Sequence, residues 1–180
     1  ARNHEPARIV AKMNSLCDKE IIAALYEASA AGVKIDLVIR GICCLKTGIP
    51  GISETIHVRS IVGNFLEHAR IFYFRNGGNE EFYMGSADWM PRNLDKRVEI
   101  MFPVEDPVLR EKVRHILQVQ LDDNVKAHIL QPSGIYEKID KRGKVLVNAQ
   151  ETFCEEAISA AKTQAETVSN RVFIPLESEE

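Results

Sequence analysis

The chain has 180 residues, of which 45% are hydrophobic, with 26 Asp and Glu set against 23 Lys and Arg. That length holds one domain with room for an appendage, and that apolar fraction can bury a core. A net charge of −3 argues against a general nucleic-acid binder, and no signal peptide or bilayer-length apolar run is present. The charge is uneven. Between Val38 and Arg97 eight Lys and Arg stand against six Asp and Glu, a balance of +2, while the remainder holds fifteen against twenty, a balance of −5. A central positive balance in an acidic chain suits a small polyanion better than a long duplex. The four cysteines (Cys17, Cys43, Cys44, Cys154) form no C-x-x-C pair and read as reduced thiols. The first residue is Ala1 and a strand begins soon after it, which is expected of a piece of a larger protein.

In chain order, Ala7 to Asn14 reads as a buried strand with a polar end, Lys12 and Asn14 sharing one face. Asp18 is suited to cap a helix whose stripe is Ile21, Ile22, Leu25 and Ala28 and which stops at Gly32. Lys34 to Arg40 is a second strand, so the unit is β-α-β with parallel strands and a right-handed crossover. Arg40, Lys12 and Asn14 then fall at the carboxyl ends of their strands, the edge where open α/β sheets gather ligands. A breaker-rich loop runs from Gly41 to Gly51, and Ile56 to Ile61 is a short strand. Asn64 to Ala69 is expected to be a short helix, with Phe65 on the core side and His68 near its end.

Ile71-Phe72-Tyr73-Phe74 and Phe82-Tyr83-Met84 flank Asn76-Gly77-Gly78-Asn79, a hairpin with glycines where positive φ is needed. The small, polar loop Gly85-Ser86-Ala87-Asp88-Trp89 that follows is a place to hold an anion on backbone N–H groups. Arg97 to Val104 alternates and reads as a strand. Asp106-Pro107 starts a helix to about Leu121, with Leu109, Val113, Ile116 and Leu117 inward. Ala127 to Leu130 and Ile135-Tyr136 are short extended pieces, and Gln150 to about Thr167 is an alanine-rich helix before a tail expected to be disordered. There is no internal repeat.

Each residue suited to chemistry also has an ordinary reading. His68 can be a histidine favoured by a helix end rather than a proton donor. His57 on a strand reads as structural, His115 as exposed on a helix, His4 as part of a loose terminus, and His128 has no partner pattern; no pair has metal-ligand spacing. Arginines are mostly surface groups, yet Arg40 ends an apolar strand before Gly41, and Arg97 opens a strand after a polar loop. Trp89 reads as packing, and Phe72, Tyr73 and Phe74 as core. No G-x-S-x-G, H-E-x-x-H or G-x-x-x-x-G-K motif occurs.

The runs AKMNSL, VIRGICCL, IVGNFLEHARIFYF and YMGSADWMPRNLDKRVE, in this order, resemble the last, carboxyl-terminal domain of the bacterial polyphosphate kinase family, strongly from Arg8 to Leu121. The resemblance implies an α/β fold similar to phospholipase D, a mixed β-sheet flanked by α-helices, and one domain spanning residues 1–180 (core 7–167, tail 168–180). It implies a share in the reversible transfer of the terminal phosphate of ATP to inorganic polyphosphate, through a phosphohistidine in another domain. His68, in FLEH, matches the family's second active-site histidine, a helper in phosphoryl transfer that also contacts ATP. Arg40, in IRG, matches a nucleotide-phosphate-binding arginine, and Arg97, in DKRVE, another basic residue at the ATP site. Lys12 and Asn14 match the polar end of the first strand, facing the same pocket, and Gly85-Ser86 resembles the small-residue motif of phospholipase D-like sites.

The implied partners are ATP or ADP, polyphosphate, upstream domains of the same chain and further copies in a homo-oligomer, with no nucleic acid. Mg2+ is expected in the full enzyme, with no protein ligand here. The implied location is cytoplasmic, with peripheral membrane association left open. Where the wider superfamily has H-x-K and a later Asp, this chain has His68-Ala69-Arg70 and Arg75, which counts against phosphodiester hydrolysis. A phospholipase D-like phosphodiesterase and a non-catalytic phosphate-binding module are the alternatives. Arg40 and His68 are expected to converge in one pocket.

Overall fold

The computed structural model describes residues 1–3 and 5–169, with side chains through residue 164. Strand β1 (Ala7–Met13) lies at the centre of an eight-stranded sheet. Beside it, β2 (Lys34–Ile39) and β3 (Ile56–Ile61) continue in parallel, and β7 (Ala127–Leu130) and β8 (Tyr136–Lys138) close that side antiparallel. On the other side β4 (Arg70–Asn76), β5 (Asn79–Gly85) and β6 (Met101–Pro103) are all antiparallel. Both edges are three-residue strands, one of them ending in Pro103.

The alternation of β1 divides the core. Ala11 and Met13 join Ile35, Leu37 and Ile39 of β2 on the face covered by α1 (Lys19–Ala30), which packs through Ile21, Ile22, Leu25 and Ala28. Asp18 caps α1, accepting from the Ile21 N–H at 2.9 Å, and the helix gives way at Gly32 with φ 88°. On the opposite face Val10 joins Ile71, Tyr73 and Phe82 beneath Val113 and Leu117 of α3 (Pro107–Asp122). Helix α3 is capped by Asp106 with Pro107 in its first turn. The hairpin turn has Gly77 and Gly78 at φ 58° and 94°, and Trp89 stacks on Phe72 with ring centroids 5.1 Å apart, a packing role.

Four expectations are corrected. Residues 64–69 form no helix, and Phe65 is 60% exposed. The backbone of Phe65 pairs instead with the Gln150 amide, donating to its Oε1 at 3.0 Å and accepting from its Nε2 at 2.8 Å. Those bonds go to helix α4 (Ala149–Ser169), and a single isolated turn cannot compete with them. The strand read over 97–104 shrinks to Met101–Pro103, because a short helix α2 (Pro91–Lys96) precedes it and Glu99 is drawn to Ser86 and Asn93. Arg97 therefore closes α2 in extended conformation and opens no strand. Leu109 is 50% exposed, lining an open groove with Phe102 and Pro103. Val113, Ile116 and Leu117 do face the core, and Val119 and Gln120 are buried beside them. Helix α4 takes in the start of the expected tail; residues 170–180 and His4 lie outside the described residues.

Asp123, fully buried, joins α3, β7 and α4. Its Oδ1 accepts from the backbone N–H groups of Val125, Lys126 and Ala127, and its Oδ2 from Ala149. Removing it takes that acceptor from four backbone donors, two of which, Ala127 and Ala149, are buried. Asp123→Ala is therefore expected to destabilise the chain by about 3 kcal/mol or more, read from urea unfolding. Asp123→Asn should recover part of that loss, since its carbonyl can still serve the Oδ1 position while its NH2 meets the Ala149 N–H.

Candidate functional site

The carboxyl ends of β1, β2 and β3 share one edge of the sheet. Because β4 and β7 run antiparallel to their neighbours, their starts lie at this edge too, with residues 62–69 and Asp123. Past β1 the ladder continues: Leu16 bridges to Cys43 on one side and Trp89 on the other. Gly41 donates to the Asn14 carbonyl at 2.8 Å, and a Cβ at Gly41 would meet that oxygen at 3.0 Å. The small residue lets the loop after Arg40 lie against Asn14.

Lys12 and Arg40 follow the alternation onto the α3 face. Lys12 is 2% exposed. Its Nζ donates to the Ala69 carbonyl at 3.2 Å and pairs with Glu67 Oε2 at 3.2 Å. Burial lowers the Lys12 pKa; Glu67 opposes that shift, and the positive charges of Arg40 and Arg70 add to it. Arg40 is half-buried. Its Nη1 is buried without a partner, as is Oδ1 of Asn14, and among the described residues its guanidinium has no carboxylate partner. Buried polar atoms are seldom left unpaired, and such orphans mark sites that take a ligand or water.

His68 stands on the irregular segment before β4, exposed, and among the described residues its ring makes no hydrogen bond. With Lys12, Leu66, Glu67 and Gln120 it lines an open cavity of about 500 Å³, closed on the far side by Phe153 and Glu156 of α4. Arg40 lies off that wall, linked to it by its field on Lys12. Arg97 is farther along the edge, its side chain 57% exposed and 3.9 Å from Glu99. Lys12 and His68 are thus brought to one cavity, Asn14 and Arg40 adjoin it through the β1–β2 ladder, and Arg97 stands apart.

In the loop Gly85 to Trp89 both donors of Ser86 are already taken. Ser86 N–H bonds to the Ile100 carbonyl at 3.0 Å, and its hydroxyl is shared between Glu99 and the Ile100 N–H. Gly85 is fixed by packing, since a Cβ there would meet the Ile100 carbonyl oxygen at 2.6 Å. The negative charges held in this region are the chain's own. Asp88 accepts from Asn14 N–H at 2.7 Å and takes both Nε and Nη2 of Arg70 at 3.1 Å. Arg70, at the Lys position of H-x-K, is thereby committed to a bidentate pair.

Three other described histidines have partners of their own: His57 Nδ1 is 4.0 Å from Asp36, His115 Nε2 is 2.7 Å from Glu156, and His128 Nδ1 is 3.0 Å from the Lys126 carbonyl. Among the described residues no group of three or more His, Cys, Asp or Glu could hold a metal ion, and no helix is long and apolar enough to cross a membrane. All four cysteines are free thiols, and burial with the neighbouring Cys44 pushes Cys17 up to about 11.

Sequence reading passed over Glu67, Gln120 and Asp88. A buried lysine on a central strand demands a counter-charge, and Gln120 occupies an inward position on α3 three residues after Leu117; both were signals.

Burial works against the Asp88 charge, but Arg70 and the N–H groups of Asn14 and Ser15 outweigh it and hold the carboxyl below its ordinary 3.8. A depressed folded-state value means that this stabilisation is complete above pH 3.8 and is lost as pH falls through the lower folded value. Asp88→Asn should therefore flatten the acid limb of a stability–pH profile measured by denaturant unfolding, in that window.

The family model described as Polyphosphate kinase C-terminal domain 2 matches residues 1–150. The chain is 57% identical to the polyphosphate kinase of Thermosynechococcus vestitus over 138 residues, 77% of this chain and 19% of that protein. The crystal structure of polyphosphate kinase from Porphyromonas gingivalis superposes with TM-score 0.85 at 42% identity, over 90% of this chain and 25% of that one. A phospholipase D family member, Nuc from Salmonella typhimurium, shares the fold, with TM-score 0.51 at 20% identity over 68% of this chain and 82% of that one. The chain thus spans 19% and 25% of the lengths of these two polyphosphate kinases.

Proposed function

The chain belongs to the polyphosphate kinase family, where it corresponds to C-terminal domain 2, and we propose that it supplies part of the site at which the terminal phosphate of ATP passes reversibly to inorganic polyphosphate. In this reading residues 1–180 are one carboxyl-terminal catalytic domain, with a core at 7–167, of a cytoplasmic enzyme that acts together with upstream domains and with further copies of itself.

The observation that carries the proposal is the buried, unpartnered Nη1 of Arg40 beside Asn14 and Lys12, at the edge where His68 enters. Phosphoryl transfer asks a protein for positioning and charge neutralisation. An arginine fork without an internal carboxylate can grip phosphate oxygens. Arg97, exposed near Glu99, can swing to a second phosphate. His68, free at its ring, can donate a proton or a hydrogen bond to the leaving phosphate. The γ-phosphoryl leaves ATP as its P–O bond breaks and an N–P bond forms to a histidine of another domain. A terminal polyphosphate oxygen then attacks phosphorus and the N–P bond breaks. His68 assists these steps without becoming phosphorylated. Mg2+ would arrive on the nucleotide phosphates: Glu67, Asp88 and Glu99 are already engaged by Lys12, Arg70 and Ser86, so they make no cage for it. The Arg70–Asp88 pair likewise counts against a phosphodiesterase.

In the full-length enzyme, Arg40→Ala and Arg97→Ala should each raise KM for ATP by about 10- to 150-fold, the equivalent of about 1.5–3 kcal/mol of charge-assisted contact. Lysine at either position should restore only part of the effect, and an unchanged KM would reduce that arginine to a surface residue. Incubated alone with ATP labelled on the γ-phosphate, the 180-residue chain should gain no acid-labile label and make no polyphosphate. Label on the chain would make His68 the nucleophile and overturn its helper role.

A further inference from the structure

We infer that Glu67 is the positioning residue of His68: the strap that holds the histidine at the site, an inference that rests on the helper role proposed above. His68 sits on a segment without regular structure, yet the chain on both sides of it is pinned. Glu67 Oε2 takes Lys12 Nζ at 3.2 Å and Gln120 Nε2 at 3.0 Å, while its Oε1 takes Gln150 Nε2 at 2.9 Å. One carboxylate therefore ties the segment to β1, α3 and α4 together. Gln150 also holds the backbone of Phe65 in both directions, and Gly63 leaves room for it, since a Cβ at Gly63 would meet the Gln150 Cδ at 2.8 Å. On the other side, Lys12 holds the Ala69 carbonyl and Arg70 Nη1 holds the His68 carbonyl at 2.8 Å.

Every one of these bonds falls on the backbone or on Glu67, and none on the imidazole. The arrangement fixes where His68 stands and leaves its ring available. Glu67 also neutralises Lys12 and uses its remaining acceptor capacity on two amides, so it is spoken for before any substrate arrives. It acts through its neighbour and not on the reacting atoms.

The test is a double-mutant cycle in the full-length enzyme, with kcat and the KM for ATP measured separately. Glu67→Ala should lower kcat about tenfold with the KM for ATP changed less than about threefold. In a His68→Ala background the same replacement should lower kcat less than about twofold, because the residue it positions is gone. Gln150→Ala, which loosens the segment without leaving Lys12 uncompensated, should reproduce a weaker form of the same pattern and serves if Glu67→Ala does not fold. Arg114→Ala, which breaks a remote pair with Glu80, controls for stability loss alone and should leave kcat unchanged. An equal loss of kcat in both backgrounds, or no loss from either Glu67→Ala or Gln150→Ala while His68→Ala is impaired, overturns the inference. A His68→Ala enzyme with full kcat would instead overturn the helper role itself.

Discussion

The ammonium group of Lys12 is buried at the carboxyl end of the central strand, and much of the local structure answers to it. A charge so far from water must be paired and hydrogen-bonded or it will neutralise. Glu67 and the Ala69 carbonyl meet that need, and to do so residues 62–69 must cross over the end of β1. Gln120 on α3 and Gln150 on α4 then complete the carboxylate's shell. The position of His68, the seating of α4 and the cavity beside them all follow from one buried cation.

The pair also sets the local field. Arg40 and Arg70 both lie close enough to bear on Lys12, and Glu67 and Asp88 offset Lys12 and Arg70. Arg40 is left with its charge unpaired by any described carboxylate. A region that is nearly balanced internally but keeps one uncompensated guanidinium beside the cavity favours a compact anion. A longer basic surface would be needed to follow a duplex.

Much of the fold was legible because local chemistry and tertiary packing agreed. The apolar strands 7–13 and 34–39, the Asp18 and Asp106 caps, and the Gly77-Gly78 turn each carry a signal that acts within a few residues. Two stretches misled for a common reason. Residues 64–69 look helical by composition, but their hydrogen bonds go to Gln150, which is remote in sequence, and no local pattern reports that. The alternation from Arg97 onward looks like a strand, yet Pro91 starts a helix just before it and Glu99 is diverted by Ser86. In the site, the basic residues could be nominated by motif and by strand position. Their carboxylate partners could not, because pairing across 18 residues for Arg70–Asp88 or across α3 and α4 for Glu67 is a property of the folded sheet. The fold is shared with a phospholipase D family member, while the charge of Arg70 is spent on Asp88 inside the chain.

The two outer strands have a consequence for how this chain behaves among its own copies. A sheet of eight strands with apolar faces would be hazardous if its rims were long and flat, because each rim shows unpaired N–H and C=O groups to which another chain can add. Here both rims are three residues long. One ends in Pro103, which has no N–H to give, and the other carries Glu137 and Lys138. The exposed side chains of Met101 and Phe102 therefore sit on a ladder too short to nucleate continuous strand addition. Contacts made through that rim are left to side-chain packing, which is selective by shape, and not to backbone pairing, which accepts any extended segment.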